Sequence, residues 1–264
     1  MTPPVTPAVT WDPAQYLRHA DHRSRPFHEL VDRVPGVPTR IVDLGCGPGN
    51  TTATLTDRWP GASVTGIDNS APMIDKARRD HPGTAFGLGD ITGYDPAADG
   101  PAPDLILSNA ALQWVPGHAD LFPRWIEALP VGGSLAFQVP GNFGEPTHTL
   151  LTALRTGPRW AARLADLSRP GVLHPADYLA RLSALGCTVD AWETTYYQVL
   201  QGEDPVLDWM LGTGLRPSLD ALPDPAERAE FLAEYSAALA EAYPATPHGT
   251  VLPYRRVFVV ATKG

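Results

Sequence analysis

Between residues 38 and 140 short apolar runs alternate with segments of helical pattern: "RIVDLG", then 50–59, "SVTGID", then 70–80, "TAFGLGD", "PDLILSN", then 118–130, and "GSLAFQVP". Alternation of this kind predicts an α/β fold, a parallel sheet with helices on both faces. Ligands of such sheets sit outside the carboxyl ends of the strands, so the residues at those ends are the first candidates for function. After Pro140 the rhythm changes. Residues 145–185 read as two or three short helices, "CTVDAWETTYYQVL" as a strand, 204–243 as helix punctuated by "TGLRP" and "LPDP", and "YRRVFVVATKG" as a terminal strand. Two late strands separated by helical sequence predict a hairpin on the sheet edge whose connection has grown into a cap. Ahead of the sheet, the segment from Trp11 opens with Asp12 and Pro13, a capping residue followed by a good first-turn residue, and its helix is expected to be interrupted at Pro26. Residues 1–10, rich in Pro and Thr, read as a disordered tail.

The glycine-rich "DLGCGPGN", residues 43–50, follows the first strand and opens a helix, a place where ligand meets backbone. A phosphate loop of the GxxxxGK[ST] type needs a lysine and a hydroxyl that do not follow Gly49. A dinucleotide fingerprint needs G-x-G-x-x-G. Here the spacing is Gly45-x-Gly47-x-Gly49, and Pro48 has no N–H for a pyrophosphate. A ligand with an amino-acid head and a nucleoside tail fits better. Asp43 and the backbone of Gly45 and Gly47 are suited to its ammonium and carboxylate. Asp68, twenty-five positions on at the end of the next strand, is suited to both ribose hydroxyls. Asn69 follows it, and Met73 is a polarizable side chain placed to lie against a purine. Asp90 can accept from an exocyclic amine, Ile91 can cover the ring, and Asn109 can hold the ammonium through its carbonyl groups.

Composition removes several classes of partner. A net charge of −9, from 20 basic and 29 acidic side chains with no basic stripe, argues against nucleic acid. No apolar run approaches a membrane span. Two distant cysteines, Cys46 and Cys187, and a start without a positive region followed by an apolar one point to a reduced cytoplasmic protein. Eighteen of the basic residues are Arg and only Lys76 and Lys263 are Lys, so no single arginine is informative by type alone.

The series "VDLGCGPGN", "GIDNS…MI", "GD(I)" and "SNAALQW" resembles the cofactor-binding half of the class I methyltransferases over about residues 38–140. "WDPAQYLRHADHRSRP", "SNAALQWVPGH", "QVPGNFGEPTH", "GCTVDAWETTYY", "VLDWMLGTGLRP" and "RRVFVVA" resemble the trans-aconitate 2-methyltransferase family across nearly the whole chain. The resemblance implies a seven-stranded Rossmann-like sheet with a reversed last strand, S-adenosyl-L-methionine as donor, and a small polycarboxylate acceptor methylated on a carboxyl oxygen. The implied organisation is one domain over 11–264, with a cofactor core at 38–140, an amino-terminal helical lid, and a cap over the acceptor formed by 145–185 and 204–248. The chain departs from the family by an amino-terminal extension and an insertion around "AADGPAP", both where loops tolerate change.

Carboxylate methylation constrains the remaining residues. An ordinary carboxyl has a pKa near ~4, so the nucleophile is anionic at neutral pH and no catalytic general base is required. Alignment and exclusion of water remain for the protein to supply, and positioning alone can be worth about 7–11 kcal/mol. A polyanionic acceptor also needs local cations and neutral donors. Arg23, on the leading helix, is a candidate for the methionine carboxylate, and Arg25 is a weaker one. Arg216, rigidly set in "TGLRP", is the leading candidate for the acceptor. Of Arg255 and Arg256, and of Tyr196 and Tyr197, strand alternation turns one of each pair toward the site, with Arg256 the favoured arginine. His148 and Trp114 complete the acceptor set, with Trp209 as wall or core, and no metal is called for. Two alternatives stay open: another small-molecule acceptor of specialised metabolism, and a cofactor-binding regulator without turnover. A monomer or weak homo-oligomer is expected.

Overall fold

The computed structural model describes residues 20–98, 100–167, 171–212 and 214–264, with side chains from residue 24 onward within these segments. The expected tail over 1–10 and the first turns of the leading helix lie outside the described residues. Eight strands form one sheet: β1 (Arg40–Leu44), β2 (Ser63–Asp68), β3 (Ala85–Leu88), β4 (Leu105–Asn109), β5 (Ser134–Pro140), β6 (Cys187–Leu200), β7 (Ala245–Thr246) and β8 (Gly249–Lys263). Their order is β3-β2-β1-β4-β5-β8-β6, with the two-residue β7 paired to β8 off this path. Strands β1 to β5 are parallel. β8 runs antiparallel to β5, from Ser134 opposite Thr262 to Pro140 opposite Arg256. Apart from the added two-residue β7, this is the expected seven-stranded α/β sheet with its last strand reversed.

The apolar runs form strands because both faces of the sheet are covered. Along β4, Ile106 enters a core cluster with Leu44, Phe122, Trp125, Phe137 and Tyr178, whereas Leu105 and Leu107 enter another with Phe27, Leu30, Ile41, Trp59 and Phe258. Successive side chains point to opposite faces, so one strand contributes to two cores. β5 is buried at every position.

Among the described residues the chain divides into two compact units. One carries the sheet and comprises 20–143, 171–198 and 253–264. In it, the helix Ala20–Val31 runs through Pro26 instead of being interrupted there. The proline removes one backbone bond, while Phe27, Leu30 and Val31 are buried in the second cluster and keep the following turn in register. The helix Pro175–Ser183, grouped by sequence with the cap, belongs to this unit and buries Tyr178 and Leu182 in the first cluster.

The other unit is helical and comprises 144–167 and 199–252. It holds the helices Pro146–Thr156, Ala161–Leu164, Pro205–Leu211, Arg216–Asp220 and Pro225–Ala242. Asp224 caps the longest of these by accepting from Ala226 N at 2.9 Å. Trp160 packs edge-on against Phe231 with ring centroids 5.3 Å apart, and its indole N–H donates to Glu234 at 3.1 Å. No helix among the described residues is long and apolar enough to cross a membrane.

Candidate cofactor and active site

The strand order places the switch point between β1 and β4, since the chain leaves β3 at one edge and re-enters on the other side of β1. The glycine loop and the segment Asn109–Ala111 emerge side by side there. Gly45, at φ +79°, has the Ala111 methyl so close that a Cβ built on it would lie 2.2 Å away, and Ile91 Cδ1 would lie 3.5 Å away. Gly47, at φ +56°, would meet nothing within 4 Å. The first glycine therefore lets two loops close on each other, while the second faces open space. The loop is tied to β2 by Gly45 N and Cys46 N, which donate to Ile67 O at 2.7 and 3.1 Å.

Two carboxylates flank this opening. Asp43 is buried; its Oδ2 accepts from Thr52 Oγ1 at 2.5 Å, and its Oδ1 is buried without a hydrogen-bond partner. Burial, with a smaller contribution from the Asp68 charge, pushes its pKa up to about 7 against the Thr52 hydrogen bond. A cationic group near Oδ1 would stabilise the ionised form. Asp68 ends β2, accepts from Gly47 N and Ser70 N at 2.9 Å each, and is also raised by burial, with both backbone hydrogen bonds opposing. Asn69 beside it is exposed. Asp90 is exposed, and its Oδ1 accepts from Thr92 N at 2.7 Å and Thr92 Oγ1 at 2.6 Å. Met73, expected against a purine, is buried on the helix Ala71–Asp80 together with Ile74 and Ala77.

Asn109, expected to hold the ammonium through its carbonyl groups, has the side-chain carbonyl engaged: it accepts from Gln138 Nε2 at 2.7 Å. Gln138 Oε1 accepts in turn from Arg256 Nη1 at 3.0 Å. Ala110, the one non-glycine among the described residues at positive φ (55°), donates its N–H to Gln138 O at 2.9 Å. Left-handed backbone at a residue with a Cβ costs about 1–2 kcal/mol, so the turn out of β4 is held under load. Gln113 Nε2 donates to Ala110 O at 2.6 Å. Trp114 ends the short helical turn Leu112–Trp114 and is half-buried.

The remaining expected residues separate. Tyr196 is buried and donates to Glu29, which also accepts from Trp192 Nε1 at 3.1 Å and Thr194 Oγ1 at 2.6 Å; Arg25 lies over the Tyr196 ring at 4.9 Å. Tyr197 is 72% exposed, as alternation on β6 requires. Arg256 is buried beside the Tyr254 ring, whereas Arg255 on the other face pairs with Glu193 at 2.5 Å. β8 begins at Gly249, before these arginines, where the short strand β7 pairs back onto it. Arg23 lies on the helix Ala20–Val31, and its side chain is outside the described residues.

In the helical unit, His148 and Arg216 have a shared neighbour that sequence reading missed. Arg155 is buried; it donates through Nε to Ser218 Oγ at 2.8 Å and through Nη2 to Gly214 O at 3.4 Å. It thereby holds both flanks of Arg216, whose own Nε lies 3.8 Å from Asp220. Burial, helped by the Arg155 charge, lowers the His148 pKa to about 4, so the imidazole is neutral at pH 7. Spacing carried a signal for Arg155: Thr147, Leu151 and Arg155 recur every four residues and form the buried stripe of their helix. Gln138 carried another, as a polar residue inside the apolar run of β5 that burial obliges to find partners.

A methyltransferase-domain family model matches residues 41–133. A curated trans-aconitate 2-methyltransferase of Streptomyces coelicolor is 56% identical over 268 residues, covering 97% of this chain and 88% of the relative. One of Streptomyces avermitilis is 56% identical and covers 96% and 97%. Among solved structures, the YcgJ protein of a Bacillus species superimposes with a TM-score of 0.57 at 14% identity, over 92% of this chain and 98% of that one, which supports the fold. With the glycine loop, the flanking carboxylates and full-length identity above half, the chain belongs to the trans-aconitate 2-methyltransferase family of class I S-adenosylmethionine-dependent methyltransferases.

Proposed function

We propose that this protein transfers a methyl group from S-adenosyl-L-methionine to one carboxylate oxygen of trans-aconitate, giving a monomethyl ester and S-adenosylhomocysteine. The observation that carries the donor assignment is the orphaned Asp43 Oδ1. It is a buried carboxylate oxygen at the switch point, beside a glycine whose missing Cβ opens onto space. A group with an ammonium and a nucleoside fits this donor set, and a phosphate does not. In this reading Asp43 meets the ammonium, the backbone of Gly45 and Gly47 lies along the amino-acid portion, and Asp68 takes the ribose hydroxyls. Asn69, Asp90 and Ile91 are proposed for the adenine end. Arg23 is retained as a candidate for the methionine carboxylate.

The donor, when bound, supplies a methyl group on a sulfonium, which an anionic oxygen can attack in line. The acceptor carboxylate is already ionised at neutral pH, so the side chains orient it and exclude water instead of removing a proton. Arg216 is proposed as the main acceptor cation, with neutral His148 as a donor that adds no charge to the reacting oxygen. Two buried free cysteines are compatible with a reducing cytoplasm, which we propose as the location. Incubation with labelled S-adenosylmethionine and trans-aconitate, with base lability marking the ester, tests the reading. Absence of label in trans-aconitate while the cofactor binds normally overturns it.

A further inference from the structure

Arg256 on the reversed strand and Asn109 at the carboxyl end of β4 are joined through one glutamine. Gln138 lies on β5, between their two strands, and is 0% exposed. A guanidinium has N–H donors and no acceptor, so the glutamine atom facing Arg256 must be the carbonyl. The amide nitrogen then faces Asn109, which must answer with its own carbonyl. Each amide has one orientation that satisfies the chain, and the charge of Arg256 sets both.

We infer that the Arg256–Gln138 pair fixes Asn109 as a hydrogen-bond donor toward the site, so that Asn109 recognises a carboxylate oxygen. Among the described residues Asn109 Nδ2 donates no hydrogen bond, and Asn109 is partly exposed where β4 ends beside the glycine loop. An amide NH2 group matches an anionic oxygen and opposes an ammonium. Arg256 and Gln138 are thus positioning residues, acting on ligand choice through an amide they orient. The inference rests on the proposed reaction, which offers two sources of such an oxygen: the acceptor and the amino-acid end of the cofactor.

Gln138→Glu tests it with a change of one atom. A glutamate paired with Arg256 cannot donate, so Asn109 turns its NH2 inward and presents its carbonyl outward. Titration with S-adenosylhomocysteine and steady-state kinetics with trans-aconitate are run on wild type, Q138E, N109A and the double variant. Tenfold or greater loss in acceptor KM, or in S-adenosylhomocysteine Kd, identifies which carboxylate Asn109 meets. The loss must disappear when Q138E is made in the N109A background. If Q138E lowers the Tm strongly, Gln138→Met, which removes the relay without adding charge, takes its place in the cycle with a smaller expected loss. Unchanged KM and Kd, or a loss of equal size in the N109A background, overturns the inference. A wild type that does not methylate trans-aconitate fails the proposed function instead, and the S-adenosylhomocysteine arm still reads the relay.

Discussion

Replacing Gly45 with alanine places a methyl 2.2 Å from the Ala111 Cβ, where carbon atoms in contact ordinarily lie about 3.5–4.0 Å apart. Either the glycine loop or the turn out of β4 must move by more than an ångström, at roughly 1–3 kcal/mol for overpacking. The backbone at φ +79° adds about 1–2 kcal/mol once a Cβ is present. The sum, about 2–5 kcal/mol, corresponds to a Tm lowered by roughly 4–20 °C in a chain of this size. Gly47→Ala is the matched control. It carries the same conformational cost at φ +56° but meets nothing within 4 Å, so its Tm should fall by only about 2–8 °C. Its methyl instead enters the space proposed for the cofactor, and S-adenosylhomocysteine should bind at least ~10-fold more weakly, about 1.4 kcal/mol. Scanning fluorimetry and calorimetric titration of both variants separate the effects. Equal Tm losses would refute the close approach of the two loops, and wild-type affinity in Gly47→Ala would refute the proposed position of the ligand.

Other outcomes follow from the same contacts. Because the folded Asp43 pKa, about 7, exceeds that of the unfolded chain, its contribution favours folding at low pH and is lost as pH rises through 7. A cofactor ammonium at Asp43 reverses that preference, so S-adenosylmethionine should bind more tightly at pH 8 than at pH 6, and Asp43→Asn should flatten the profile in titrations at both pH values. Asp68→Ala should weaken cofactor binding with little effect on acceptor selectivity; unaltered affinity would remove Asp68 from the ribose role. Arg216→Ala should raise the acceptor KM at least ~10-fold and leave cofactor affinity nearly unchanged, and equal loss of both would mark it as structural. Arg155→Met, which leaves Ser218 and the Gly214 carbonyl without their donor, should cost about 1–3 kcal/mol in urea unfolding, and an unchanged midpoint would show that it does not hold that turn.

The sheet was legible because its parallel strands are buried on both faces and read as uninterrupted apolar runs between helices. Asp43 and Asp68 were legible for a related reason: once the strands are placed, their carboxyl ends are placed as well. What strand periodicity does not carry is which of two adjacent side chains faces a ligand. Tyr196 turned inward to Glu29 on a helix 167 residues earlier, a pairing that local sequence does not encode. Met73 had two readings, core or purine contact, and local sequence does not choose between them. Pro26 suggested an element end, yet the helix continues past it because surrounding contacts outweigh one missing N–H. The Arg256–Gln138–Asn109 chain was least legible, since its members lie on three strands that become neighbours only through the order β4-β5-β8.

Whether this sheet presents a sulfonium methyl donor to a carboxylate is decided by transfer of label from S-adenosylmethionine to trans-aconitate, with cis-aconitate, isocitrate and citrate in parallel. Trans-aconitate should give a base-labile labelled product at the highest kcat/KM of the four. No product from trans-aconitate, by a protein that binds S-adenosylhomocysteine normally, would contradict it.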